Sequence, residues 1–425
     1  MRGLAPLLIA SLAVTTAVFF PDVATGAAGD LDATFGRGGR VETNLGHDFA
    51  PRDAALQADG KIVVAGSYYN ARFATIAFGL VRYQTNGALD PSFGTNGVAL
   101  TAFTNFINYA NALAIQDDGK IVVAGEAMSS DGTIDVWAVA RFNANGSPDS
   151  TFGNNGRVTT DFLTTHPAGF HQAADVVILQ PDGRILAGGV VVAVPEGNRQ
   201  LGLARYTESG TLDGSFASGG KLSLLSIGEV AALGLTSENE IVALNRAGLI
   251  GQFAPNGTPQ IVAGKPLIKV AHTGPTTFEA SGRYFVATTV QGPGGENDLD
   301  VRVTRFAATG AVDPTFQSPF ITFGPPGPVE SVAQAIAVGD DGKIVPAGLA
   351  GLNLTIQAFG IARLNTNGSL DTAFAGDGTT TTVFHGGDQV TAVLIQPDGK
   401  IIAVGQTLNH ATNLANIALA RYLSQ

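Results

Sequence analysis

The chain has 425 residues, a formal net charge of −11 and no cysteine. The negative charge argues against a phosphate-backbone ligand, so no nucleic-acid partner is expected. Without cysteine there is no disulfide, thiolate metal site or thiol catalysis, and packing and hydrogen bonds must hold the fold. Apolar residues at 45% suffice for a large core, charged residues at 14% are few for a cytosolic enzyme, and 55 glycines suit many tight turns at positive φ.

Residues 1–28 stand apart. Arg2 opens an apolar run over residues 4–20, Pro21 breaks it, and the small residues Ala24 to Ala28 follow. This is the layout of a secretory signal peptide, with an uncleaved anchor as the alternative, since the run is at the short end for a span. Nothing else in the chain reads as membrane-spanning. The mature protein is therefore expected to be secreted or cell-surface associated, and monomeric.

From Gly29 onward one unit recurs. Over residues 87–146 it runs as a short strand GVALTAF, a half-buried alternating strand ANALAIQ, a DDGK turn, a strand IVVAG, a variable loop and a strand VWAVARF. The turn returns at Ala58, Asp117, Pro181, Asp340 and Pro397, with weaker copies SENE at Ser237 and ASGR at Ala280. These make seven units of roughly 57 residues, with units four and five, about 211–310, degenerate. Four antiparallel strands per unit and no helical pattern predict an all-β fold, a single seven-bladed β-propeller over 29–425.

A phrase at the end of each unit predicts ring closure. Arg and Asp recur at a fixed spacing: Arg82 with Asp90, Arg141 with Asp149, Arg205 with Asp213, Arg305 with Asp313, Arg363 with Asp371. Arg421 and Asp32 complete the set only if Gln425 is joined to Gly29. A closed ring cut inside one phrase explains this, whereas an open solenoid would need special caps. The strand Arg40–Thr43 is then expected beside the last strand. In unit four both charges vanish together, as Gln252 and Gln260, which predicts a direct structural ion pair, because one charge buried alone is costly.

The phrases LDATFGRGG from Leu31, QADGKIVVAG from Gln57, QDDGKIVVAG from Gln116 and LARYTESGTLD from Leu203 closely resemble the delta-60 repeat family. The resemblance spans nearly all of 29–425. It implies a propeller, mostly extracellular and bacterial, and supplies no catalytic residue.

In such blades the DGK turns and LDxTFG segments share one uniform face, and the variable loops share the other. Function is expected on the variable face. Its candidates are Tyr68, Tyr69 and Arg72, Phe106 and Tyr109, Asp131 and Asp135, Glu196 and Arg199, and Glu296, Asp298 and Asp300. All six histidines fall there too: His47, His166, His171, His272, His385 and His410. No cofactor is expected. A histidine-held metal, or calcium at GPGGENDLD (292–300), is set against the simpler reading of polar loops. No nucleophile elbow, P-loop, HExxH or dinucleotide motif is present. The expected function is a non-catalytic propeller that binds an extracellular protein or glycan through Tyr68, Tyr69, Phe106, Tyr109, His171 and His410. The alternative is a hydrolase, lactonase or lyase with an axial pocket.

Overall fold

The computed structural model describes residues 26–70, 75–131, 135–163, 170–193, 198–225, 228–245, 248–260, 268–269, 274–294, 298–324, 330–352, 356–409 and 414–425. Residues 1–25, and Arg72, His166, Glu196, His272, Glu296 and His410, lie outside this set. The fold is all-β, with seven antiparallel sheets arranged as a seven-bladed propeller. Blade 1 is Phe49–Leu56, Ile62–Asn70, Thr75–Tyr83 and Val98–Thr101, and blade 2 is Ile107–Ile115, Ile121–Met128, Asp135–Phe142 and Arg157–Thr160. Blade 3 begins at His171–Leu179 and blade 7 at Asp388–Ile395. The first strand of every blade meets the first strands of both neighbours, so these strands form the innermost ring. No helix among the described residues is long and apolar enough to cross a membrane.

The middle strands read as unbroken apolar runs because both faces of each blade are covered. In IVVAG of blade 1, Ile62 and Val64 pack toward blade 7 while Val63 and Ala65 pack toward blade 2. Such two-sided burial replaces the usual apolar–polar alternation. An apolar cluster fills each of the seven inter-blade interfaces.

The degenerate region is also the structurally reduced one. Among the described residues, blade 4 ends in the two-residue strand Ile268–Lys269, and the sheet of blade 5 has three strands. Its fourth position is held by Ile321, bridged to Val301 by two backbone bonds of 2.9 Å. Pro319, two residues before Ile321, lacks the donor that a longer edge strand would need. In the eroded SENE turn, Asn239 takes the positive φ (62°) that glycine holds elsewhere, a conformation asparagine tolerates.

The ring closes through its two ends. Arg40–Thr43 pairs antiparallel with the last strand, Arg40 opposite Ala420 and Thr43 opposite Ile417. The closing turn is split between the ends: Gly29 N–H donates to Leu423 O (2.9 Å) and Leu423 N–H to Asp30 O (2.9 Å). These copy Gly87 to Gln84 O and Gln84 to Ala88 O within blade 1. One detail differs from the sequence join. The carbonyl of Ala28, not that of Gln425, takes the place of Asn86, accepting from Ala375 N–H at 2.7 Å.

Each repeated arginine does more than pair with its aspartate. The Arg Nε to Asp Oδ2 distances are 2.8 Å for Arg82–Asp90 and Arg141–Asp149, 2.9 Å for Arg205–Asp213 and Arg305–Asp313, 2.7 Å for Arg363–Asp371 and 3.0 Å for Arg421–Asp32. The guanidinium lies over the phenylalanine of its own phrase, from 4.5 Å (Arg82 over Phe93) to 5.0 Å (Arg305 over Phe316). Its Nη1 donates to a turn carbonyl of the next blade: Arg82 to Ala144, Arg141 to Glu208, Arg205 to Pro255, Arg305 to Thr366, Arg363 to Ser424, Arg421 to Thr85. In unit four Gln252 keeps this link through Nε2 to Ala308 O, while Gln260 turns to Glu240.

Two predictions follow from this staple. Arg141→Ala should cost about 3–5 kcal/mol, since it strands buried Asp149 and cuts the link to blade 3. Arg141→Gln should cost less, because Gln252 keeps the same link, and Arg141→Gln with Asp149→Gln should cost less than the two singles summed; additivity in denaturant unfolding would refute the pairing. The second concerns acid. Burial pushes the Asp90 carboxyl up, but bonds from Ser92 and the charges of Arg82 and Lys61 outweigh it and hold it at about 2, below the ordinary 3.8. A lowered folded pKa gives stability that is present above the unfolded value and lost as pH falls through the folded one. The thermal midpoint should therefore drop as pH falls from about 4 to 2, and Asp90→Asn should give a lower but flatter curve.

Candidate functional site

The first strands carry a β-bulge at one shared position. The register slips at Arg52, Asn111, Asp175, Ala231, Gln334 and Thr391 in blades 1, 2, 3, 4, 6 and 7. Bulges of this kind re-aim side chains and are frequent beside functional sites. Some of these side chains tie the inner ring together: Asn111 Nδ2 donates to Ala174 O (3.1 Å), and Gln334 Oε1 accepts from Val390 N–H (3.2 Å).

At the variable-loop end of blades 1 to 3 a polar group gathers around this level. Tyr109, on the first strand of blade 2, stands opposite Glu126 on the second. Burial raises the Tyr109 hydroxyl above its ordinary value, assisted by neighbouring Tyr69 and Glu126 and opposed by Arg52. Asp135 opens the third strand of blade 2, and His171 opens blade 3. His171 Nδ1 lies 3.2 Å from Asp135 Oδ2 and 3.5 Å from Glu126 Oε2. The side chains of Glu126 and Asp135 are about nine-tenths buried, while that of His171 is 38% exposed. Glu126 Oε2 accepts no hydrogen bond from the described residues.

Burial raises the Glu126 carboxyl to about 7, with Asp135 adding to the rise and His171 and Arg52 opposing it. The hydrogen bond to Asp135 raises His171, assisted by the charges of Glu126, Asp135 and Asp175 and opposed by burial. Gln172 fixes Asp135: its N–H donates to Oδ1 (3.2 Å) and its Nε2 to the backbone carbonyl (3.0 Å).

This group breaks the repeat. Aligned on the bulge and the glycine opposite it, the positions of Glu126, Asp135 and His171 are held by Ser67, Ile76 and Ile107 between blades 1 and 2. Between blades 6 and 7 they are Leu349, Gln357 and Gly387, and between blades 7 and 1 they are Gln406, Ala415 and Asp48. The scaffold therefore does not require three ionisable groups here. By contrast, clefts on the uniform face recur with the blades. One between blades 6 and 7, of about 340 Å³, is lined by Asp340, Lys343, Arg363, Asp398 and Ser424; another between blades 2 and 3 is lined by Asp117, Lys120, Arg141, Asp182 and Glu208. They follow from blade stacking and mark no particular interface.

The other candidates disperse. Tyr68 and Tyr69 are neighbours on one strand and face opposite ways. Tyr68 packs into the blade 7–blade 1 core and against His47, with ring centroids 5.3 Å apart. Phe106 is half-buried, and its carbonyl accepts from Ile76 N–H at 2.8 Å. His385 Nε2 meets Glu42 at 2.9 Å, and Arg199 pairs with Glu229. Asp298 and Asp300 are buried and satisfied locally, by Gly294 N–H at 2.6 Å and Thr322 Oγ1 at 2.7 Å. Sequence reading placed Asp135 in a loop and gave Glu126, Arg52 and Asp175 no role. A signal was available for Glu126, which stands where the aligned units carry Ser67, Leu349 and Gln406.

The repeats match a family model described as "Domain of unknown function (DUF5122) beta-propeller" over residues 57–93, 116–152, 180–216, 340–374 and 396–424. No match to a curated protein is found. Among solved structures the chain is similar to the WD40 β-propeller domain of Doa1, at 14% identity and a TM-score of 0.48, covering 91% of this chain and 98% of that one. It is also similar to a catalytically inactive virginiamycin B lyase from Staphylococcus aureus with quinupristin (15%, 0.46, 90% and 99%). A third is the β-propeller domain of the Trilobed protease from Pyrococcus furiosus (9%, 0.46, 89% and 94%). At these identities the likeness is one of fold alone.

The packing of Tyr68 carries a prediction. Tyr68→Ala should cost about 1–3 kcal/mol and lower the melting temperature, because it opens a blade interface. An unchanged melting temperature would show that the ring is an exposed loop residue.

Proposed function

We propose that this protein is a secreted, non-catalytic β-propeller of the delta-60 repeat type that binds an extracellular protein or glycan through its variable-loop face. The observation that carries this reading is the convergence of Tyr69, Tyr109 and His171 with Arg52 and Glu126 around blades 1 to 3. Amphipathic tyrosine rings supply contact area at low entropy cost, and adjacent charges supply orientation. Secretion rests on the signal-like layout of residues 1–28.

A second reading, an enzyme with an axial site, is favoured by one observation: two buried acids and a histidine share one point at the variable-loop end of blades 2 and 3. Glycan and peptide arrays probed with the wild-type protein and with Tyr69→Ala and Tyr109→Ala discriminate the two. Binding should fall about tenfold or more in the variants, with melting temperature held. Retained binding in both variants would move the interface elsewhere. Turnover of an arrayed substrate that stops in Glu126→Gln would favour the enzyme.

A further inference from the structure

We infer that Glu126, Asp135 and His171 form an open three-ligand site for a divalent first-row cation, with zinc the best fit. The inference stands apart from the binding function, since its readout is metal uptake. One ligand atom from each residue lies within 4.8 Å of the other two. Around a tetrahedral ion bonded at about 2.0–2.2 Å, neighbouring donors stand roughly 3.3–3.6 Å apart. The 3.5 Å from His171 Nδ1 to Glu126 falls in that range and the 3.2 Å to Asp135 just below it, while the two carboxylates stand within 4.8 Å of each other.

The donor set is one imidazole nitrogen and two carboxylate oxygens. The nitrogen disfavours calcium and magnesium, and the absence of thiolate disfavours soft ions, which leaves zinc and its first-row neighbours.

A second, independent observation points to a missing partner. Glu126 is 8% exposed, and its Oε2, aimed at His171, is buried without a hydrogen bond. Buried polar atoms are normally satisfied, and an orphan needs an explanation. A cation between Oε2 and Nδ1 provides one.

The supporting shell is also present. Gln172 holds Asp135 at both its carboxylate and its carbonyl, and its Nε2 reaches Asp161 Oδ1 at 2.9 Å. Such partners fix ligand orientation. The exposed edge of His171 leaves a fourth position for water or a ligand oxygen, the arrangement of an open rather than a closed zinc site.

The alternative is a metal-free ion cluster in which a protonated His171 serves both acids. Chelator-treated full-length mature protein titrated with zinc sulfate, followed by elemental analysis after gel filtration, separates the two. One equivalent should be retained, with affinity reduced about tenfold or more in His171→Ala and in Glu126→Gln. His385→Ala, a surface control, should bind as wild type. Zinc retained at well under one equivalent, or equally by all variants, overturns the site. Should a variant fold poorly, the wild-type protein loaded with cobalt(II) decides: strong visible d–d bands support tetrahedral nitrogen–oxygen ligation, and the weak spectrum of the aquo ion refutes it.

Discussion

The structure depends on one guanidinium used three ways. In six of the seven blades an arginine meets its own aspartate, lies over its own phenylalanine and donates to the next blade. The aspartate in turn accepts from the backbone and hydroxyl two residues on, as Asp149 does from Thr151 at 3.0 Å and 2.7 Å. A bond to a charged group is worth about 1.5–3 kcal/mol, more than a neutral one. Arginine suits this position where lysine would not, because its planar fork can serve three partners at once.

Closure follows from the same interaction. A propeller must join its first and last blades without a covalent bond, and here the seam reproduces an internal phrase. Arg421 reaches Asp32 on one side and Thr85 O on the other, as Arg82 reaches Asp90 and Ala144 O. The chain ends thus make the contacts of an ordinary turn, and the last blade takes its fourth strand, Arg40–Thr43, from the start of the propeller. Blade 4 shows the limit of tolerance. Its glutamines drop the ion pair together yet keep the inter-blade donor, so the link between blades survives where the charge does not.

Against this uniform frame, departures from the repeat carry the information about function. Three other mouths between blades lack the acid–acid–histidine set, carrying at most one ionisable residue, Asp48, at these positions. Burying Glu126 without a bond to Oε2 costs stability, and a scaffold under no other demand would use the serine or leucine found elsewhere. Tyr109 stands opposite Glu126 on the neighbouring strand, and Tyr69 lies close to it.

The sequence by itself determined the architecture. Period, turn chemistry and the paired loss of Gln252 and Gln260 specify seven units, their closure and the Arg–Asp pairing, because these are local features repeated along the chain. It also named Tyr69, Tyr109 and His171. It could not say that Tyr68 faces the core, since alternation along a strand assigns opposite sides without saying which side is solvent. Nor could it bring Glu126 and Asp135 to His171. Those residues lie on two blades, and their distance is set by how neighbouring sheets twist and stack. That stacking is a property of the closed ring alone, which is why the tertiary structure, and not the motif, decided where this protein's chemistry is concentrated.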